Sequence, residues 1–181
     1  MLEDKMLIWK LKKGDRPTLC RIYEKYKDDL LRIAAGLLTD TTDAEDAVHD
    51  VFIMFIGSLD TFKLTGSLRG YLTTCVANRA RNLNRFKARH PQVGLDQVEP
   101  PVSRFRRPDQ WLLMDEAFSR FCNAMTELPY EQREVITLYM QADLTFREIS
   151  RLQQTNISTV QGRYRYGIDK LRKLLNSEVI K

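Results

Sequence analysis

The sequence predicts an all-α protein made of two small helical domains joined by a flexible linker, and three observations carry that prediction. Apolar residues recur at spacings of three and four through most of the chain, which is the helical period. Only one proline precedes Pro91, whereas Pro91, Pro100, Pro101 and Pro108 crowd into residues 90–110. No segment alternates with the strand period, and no internal repeat or low-complexity tract occurs. The expected division is therefore 1–90, a linker over 91–110, and 111–181.

Each element follows from its own residues. Leu19, Ile22, Tyr23, Tyr26, Leu30, Ile33, Ala34 and Leu37 form one helical stripe. Residues 39–42 supply a polar break with capping side chains. A second helix begins at about Asp43, with Ala44, Ala47, Val48, Val51, Phe52, Phe55 and Ile56 on its apolar face and an acidic first turn that suits the helix dipole. Residues 57–66 are expected to form a loop. Leu68, Leu72, Val76 and Leu83 then carry a third helix with Arg and Asn side chains outward. Beyond the linker, helices are expected over 111–126, 131–140, 145–153 and 158–175, with Leu128-Pro129 ending the first of these.

Composition narrows the function. With 43% hydrophobic and 29% charged residues, the 181-residue chain is ordinary for a globular protein. Its apolar run at 51–56 falls far short of the roughly 20 residues a membrane span needs. Residues 1–15 mix Glu3, Asp4 and Lys5 with apolar side chains and do not form a signal peptide, so a cytoplasmic location without membrane insertion is expected. Cys20, Cys75 and Cys122 are odd in number and far apart, which predicts buried free thiols and no metal site. His49 and His90 are the only histidines, no nucleophile and base share a spacing, and no glycine-rich phosphate loop occurs. Neither an enzyme, a cofactor nor a small-molecule substrate is expected.

Charge distribution says more than the net +5. Over 40–50 every charged residue is acidic (Asp40, Asp43, Glu45, Asp46, Asp50), and over 79–89 every one is basic (Arg79, Arg81, Arg85, Lys87, Arg89). Arg163, Arg165, Lys170, Arg172 and Lys173 form a second basic group, diluted by Asp169. One acidic and two basic surfaces point to two different partners.

Residues 144–163 have the form of a helix-turn-helix. Thr145 caps a first helix, Ile149 and Leu152 face inward, and Ser158 caps a second helix whose Val160 closes the apolar wedge. The second helix offers Ser158, Thr159, Gln161, Arg163, Tyr164 and Arg165 to a major groove. Arg172 and Lys173, farther along, suit phosphate. Taken alone, these residues also fit a conventional helix-turn-helix regulator that binds operators without RNA polymerase.

Here the chain resembles a family. Leu128-Pro129 with Gln132-Arg133-Glu134-Val135, then Leu144-Thr145, Glu148-Ile149, and Thr159-Val160 with Arg163, look like region 4 of the bacterial sigma factors. The stretch Asp43-Ala44-Glu45-Asp46-Ala47-Val48-His49-Asp50-Val51-Phe52 looks like their region 2.2. Phe62, Ser67, Leu68, Arg69, Tyr71, Leu72 and residues 78–85 look like regions 2.3 and 2.4. In this order and length the set resembles the extracytoplasmic-function group.

The resemblance implies three binding surfaces. Core RNA polymerase would meet Glu45, Asp46, His49, Asp50 and Phe52. The minus-10 element, as melted strand, would meet Arg69, Tyr71, Asn78, Arg79, Arg81, Asn82 and Arg85, with the loop over 60–70 as a pocket for an extruded base. The minus-35 duplex would meet the six residues of the second helix already named. The resemblance also implies an anti-sigma protein as a partner, and a path for the linker, with its Arg104, Arg106 and Arg107, through a polymerase channel. Tyr71 stands where the family has Trp, Asn82 where Asp is frequent, Ser150 where Ala is common and Gln154 where Gly is common. Asn156 is the residue expected to take the left-handed conformation and restore the turn.

Overall fold

A computed structural model describes residues 2–90 and 114–177. These form helices α1 (Leu2–Lys12), α2 (Arg16–Leu37), α3 (Thr41–Gly57), α4 (Leu68–Arg89), α5 (Met114–Thr126), α6 (Tyr130–Met140), α7 (Phe146–Gln153) and α8 (Ile157–Ser177), with no strand among the described residues. The expected linker over 91–110, with Arg104, Arg106 and Arg107, lies outside the described residues.

The all-α expectation holds, and the N-terminal half adds a helix that the periodicity missed. Residues of α1 are apolar on both sides: Leu7, Ile8 and Leu11 are buried while Leu2, Met6 and Trp9 are exposed. The amphipathic period is therefore weak, and the segment lacked a readable stripe. Asp4 fastens α1 to α2, accepting from the Tyr26 hydroxyl at 2.5 Å and from Lys25 Nζ at 3.0 Å. Burial opposes the Asp4 charge, yet the hydrogen bonds from Tyr26 and Lys25 outweigh it and hold the carboxyl below its usual range. Burial and the same bond push the Tyr26 phenol up to about 12.

A depressed folded value makes the Asp4 contribution complete above the unfolded value of about 4 and lost as pH falls through the folded one. Asp4→Asn is expected to cost stability near pH 7 and progressively less toward pH 3. Urea midpoints across that range check this, and a pH-independent difference would refute it.

α2 is the central rod of this half. Its Ile22, Leu30, Ile33, Ala34 and Leu37 are all but fully buried, and α3 and α4 pack against it through Val48, Val51, Phe55, Leu72, Val76 and Ala80. α3 starts at Thr41, earlier than its apolar pattern indicates, because the Asp40 carboxylate accepts from the backbone N–H of Thr42 at 2.7 Å and of Asp43 at 3.2 Å. Ser67 caps α4, accepting from the Gly70 N–H at 3.0 Å. Between them, Lys12 of α1 donates to the carbonyls of Asp60 and Phe62 at 3.3 and 2.7 Å, so α1 also pins the loop that the sequence places beside DNA.

In the second half α6 is the hub, with Val135, Ile136 and Leu138 buried. Ile136 and Leu128 join Ala124 and Met125 of α5 and Leu171 of α8. α8 crosses α6 closely at Gly167, where a Cβ would sit 2.8 Å from Ile136 Cδ1. Val135 and Leu138 instead face the first half, and one continuous core runs from α1 to Val160 of α8. At the same junction Gly36 of α2 abuts Thr137 of α6, since a Cβ at 36 would sit 2.9 Å from both Thr137 Cγ2 and Oγ1. The two helical units are thus closed on each other.

The helix-turn-helix is present with two corrections to its turn. Thr145 and Glu148 form a reciprocal capping box: the Glu148 carboxylate accepts the Thr145 N–H at 2.8 Å, and the Thr145 hydroxyl accepts the Glu148 N–H at 3.3 Å. The left-handed residue is Gln154 (φ 51°, ψ 46°), at the C-cap of α7, and Asn156 has no positive φ. Ser158 lies inside the first turn of α8, which starts at Ile157, rather than capping it. A side chain at φ near +50° costs roughly 1–2 kcal/mol that glycine avoids, set against the greater freedom glycine gives the unfolded chain. Gln154→Gly is therefore expected to stabilise the protein by about 1 kcal/mol, seen as a melting temperature about 2–4 °C higher.

The cysteines are also corrected: all three are free, but Cys20 and Cys122 are exposed and Cys75 is half-buried. Cys20 sits on the outer side of α2, where the helical stripe does not reach.

Candidate nucleic-acid interface

Five α3 residues were expected to meet polymerase. Glu45, Asp46 and His49 are exposed and Asp50 is half-exposed. With Tyr23, Lys27, Leu31 and Val48, the first three line an open cleft of about 420 Å³ between α2 and α3. Phe52 does not belong to this surface: it is 4% exposed, its ring 4.9 Å from that of Tyr23, because it falls on the inner stripe of α3. The exposed apolar residues of this helix are Ile53, Met54 and Ile56.

α4 lies alongside α3, and its basic side chains neutralise part of the acidic edge. Arg79 pairs with Asp50 at 2.5 Å, and Lys87 pairs with Asp43. Asn78, Asn82 and Arg85 are exposed and available to a nucleic acid. Tyr71 is half-buried in a ring cluster, 4.7 Å from Phe62 and 6.2 Å from Phe55. It props up the loop over 58–67, and burial raises its phenol value. The loop and the start of α4 border a cleft of about 460 Å³ lined by Phe62, Lys63, Thr65, Tyr71 and Thr74. The remaining two arginines point elsewhere. Arg69 donates to the Gln141 carbonyl at 2.9 Å and pairs with Asp29 at 3.1 Å, and Arg81 pairs with Glu134 at 2.7 Å.

On α8, Ser158, Thr159, Gln161 and Arg165 are exposed along one side. Val160 is fully buried against the α7 side of the motif, which fixes how far α8 projects. Arg163 and Tyr164 are half-buried. Arg163 donates to Gln153 Oε1 at 2.6 Å, and Tyr164 packs edge-on against Tyr139 and Phe146 at 5.0 and 5.4 Å. Tyr164 is thereby a support of α8, with Phe146 stacked on Tyr139 at 4.5 Å behind it.

Sequence reasoning missed Glu134 and Gln153 as functional residues. Glu134 is 1% exposed, yet it gathers Arg81, the Tyr130 hydroxyl at 3.2 Å and Gln153 Nε2 at 2.8 Å. Burial, with the Glu134 charge beside it, pushes the Tyr130 phenol well above its ordinary value. One signal was present, because Glu134 directly precedes Val135 and Ile136 on a helix whose apolar stripe should exclude a charge.

A helical unit with an acidic face and a basic neighbour, followed by a helix-turn-helix, fits a transcription factor with both a protein partner and DNA. The comparisons agree. The chain matches the model of sigma-70 region 2 over residues 22–90 and that of sigma-70 region 4 over residues 121–171. It is 23% identical over 179 residues to the RNA polymerase sigma-H factor of Pseudomonas aeruginosa, covering 93% of each chain. It is 24% identical over 181 residues to the ECF RNA polymerase sigma factor SigW of Bacillus subtilis, covering 94% of this chain and 96% of that one. Among solved structures it resembles the sigma factor RpoE of Bartonella quintana, in complex with the anti-sigma factor NepR, with a TM-score of 0.65, 21% identity, and coverage of 86% and 97%. The protein belongs to the sigma-70 family, in its extracytoplasmic-function group. That family is not known for enzymatic activity.

Proposed function

We propose that residues 1–90 dock on core RNA polymerase and trap melted minus-10 DNA, while residues 111–181 read the minus-35 duplex, so that the chain directs promoter-specific initiation from the cytoplasm. The observation that carries this is the pairing of an acidic, apolar-edged helix with a basic one in the same unit. Exposed Glu45 and Asp46 repel DNA and, with exposed His49 beside them, suit a protein partner, with Asp50 at the margin. Asn78, Asn82 and Arg85 offer amides to base edges and cations to phosphates, beside a cleft wide enough for a base. In the second unit Ser158, Thr159, Gln161 and Arg165 form the reading edge. No helix among the described residues is long and apolar enough to cross a membrane.

Separated strands bind where paired ones do not fit, so melting is driven by binding rather than by a chemical step. By analogy with RpoE of Bartonella quintana, which is held by an anti-sigma factor, the partner that silences this chain is a protein of that kind. The test is run-off transcription with purified core polymerase. Glu45→Ala/Asp46→Ala is expected to lose core binding, and Gln161→Ala/Arg165→Ala to keep core binding and lose transcripts from minus-35-dependent promoters at least tenfold. Tight duplex binding by the protein alone, with no association with core polymerase, would exclude this function.

A further inference from the structure

We propose that the outward face of α1 is a peripheral docking surface for an anionic lipid bilayer, separate from the polymerase and DNA contacts of the proposed function.

α1 is apolar on two sides, and folding consumes only one of them. Asp4, Leu7, Ile8 and Leu11 are buried in the first unit. Leu2, Met6 and Trp9 are 87%, 53% and 60% exposed. At about 100° per residue, positions 2, 6 and 9 fall on one ridge opposite the buried set. Scattered singly, such side chains would need no explanation. Aligned on one face of an eleven-residue helix, they form a continuous apolar surface that gives nothing to the core and marks a contact site.

Charge decides what covers the ridge. Lys5 and Lys10 flank it, and Lys13 closes its end with Nζ 5.4 Å from the centre of the Trp9 ring. The two acids of α1 do not offset these cations, because Glu3 and Asp4 both pair with Lys25 of α2, at 2.8 and 3.0 Å. Lys12 is turned aside to the carbonyls of Asp60 and Phe62. The ridge is thus apolar along its crest and cationic along its edges.

A partner must answer both features. A second copy of the chain would set the same three lysines against themselves. The DNA backbone would satisfy the lysines and offer no apolar surface to Leu2, Met6 and the indole. A protein would need an acid-rimmed groove to receive a convex ridge. An anionic bilayer meets both demands and requires no particular shape. Leu2 and Met6 enter the acyl boundary, the Trp9 indole lies at headgroup level with its N–H toward water, and the lysine stems carry their ammonium groups to the phosphates. The helix lies along the surface, and no helix among the described residues is long and apolar enough to cross it. With three apolar anchors and three cations, the attachment is weak, reversible and sensitive to salt. Leu2, Met6 and Trp9 line neither of the clefts described above, so docking can be measured apart from transcription.

The test uses the full chain and Trp9 as its own reporter. Trp9 and Trp111 are the only tryptophans, so Trp111→Phe leaves one indole to observe. Vesicles of equal parts phosphatidylcholine and phosphatidylglycerol are expected to shift its emission to the blue and to co-sediment the protein. Affinity for pure phosphatidylcholine vesicles is expected to be at least about tenfold lower, and salt at about 0.5 M to release the protein. In sedimentation, Met6→Ser/Trp9→Ser is expected to lose at least about tenfold in vesicle affinity, with unchanged melting temperature and unchanged lipid-free transcription. Lys5→Gln/Lys10→Gln/Lys13→Gln is expected to lose the preference for the anionic lipid. Unchanged emission and no sedimentation with the anionic vesicles overturn the proposal. Equal affinity for the two vesicle types overturns it as well, as does full binding by Met6→Ser/Trp9→Ser. A blue shift of Trp9 with core polymerase and none with vesicles would make the ridge a protein-docking face and exclude the lipid.

Discussion

Phe55→Ala is expected to lower the free energy of unfolding by about 3–5 kcal/mol and to abolish binding of melted minus-10 DNA, although Phe55 itself touches no DNA. The ring is 1% exposed, meets Phe62 edge-on at 5.2 Å and borders Tyr71. Removing it opens a cavity under the loop over 58–67 and takes away both transfer energy and dispersion contacts. Phe62 and Tyr71 then lose the surface that fixes them, and the cleft they border loses its shape. Phe55→Leu, which fills most of the volume, is expected to cost less than about 1.5 kcal/mol and to keep DNA binding. Urea denaturation together with a fork-DNA titration separates the two variants. A Phe55→Ala protein that binds melted DNA normally would show that the loop is shaped from elsewhere.

Glu134→Ala comes next, with an expected loss of about 3 kcal/mol. The substitution takes the buried carboxylate partner from the Arg81 cation and strips an acceptor from Tyr130 and Gln153. Breaking a buried ion pair on one side generally costs roughly 3–5 kcal/mol, since the other charge stays desolvated. Here the Arg81 side chain retains some exposure, which favours the lower end. Removing both charges is different: Glu134→Leu/Arg81→Met restores an apolar contact and is expected to recover most of the loss. A double-mutant cycle measured by urea unfolding reads the coupling directly, and additive single effects would mean that the pair contributes nothing to stability.

Seven of the eight helices were legible because each carries a stripe of period 3.6 long enough to read, from Ile22 through Leu37 in α2 to Val160 through Leu171 in α8. The capping box of α7 was partly legible, since Thr145 stands as its cap. α1 was not, because both of its faces are apolar and its one diagnostic residue, Asp4, makes sense only against Tyr26 and Lys25 far along the chain. Among the candidate site residues, exposure depended on contacts that local spacing does not encode. Glu45, Asp46, Asn82 and Gln161 stand outward as their phase indicates. Phe52 turns inward to Tyr23, and Tyr164 to Tyr139 and Phe146. Arg69 and Arg81 are drawn off by α6, a helix about fifty to seventy residues away in sequence, which no periodicity connects to them. The turn of the helix-turn-helix was misplaced for a simpler reason: intrinsic preference favoured Asn156 for the left-handed angle, whereas the end of α7 imposes it on Gln154.

The contact between Gly36 and Thr137 has a consequence for the order of synthesis. Ribosomes release the chain from its N-terminus, so α1 to α4 are complete while α6 is still to be made. During that interval the end of α2 around Gly36, the apolar surface later covered by Val135 and Leu138, and the Arg81 guanidinium all face water. The nascent first half must hold together on the α2, α3 and α4 core alone. The surface that α6 will cover stays open to chaperones or premature partners until about fifty further residues have emerged, and only then can Thr137 meet Gly36 and finish the fold.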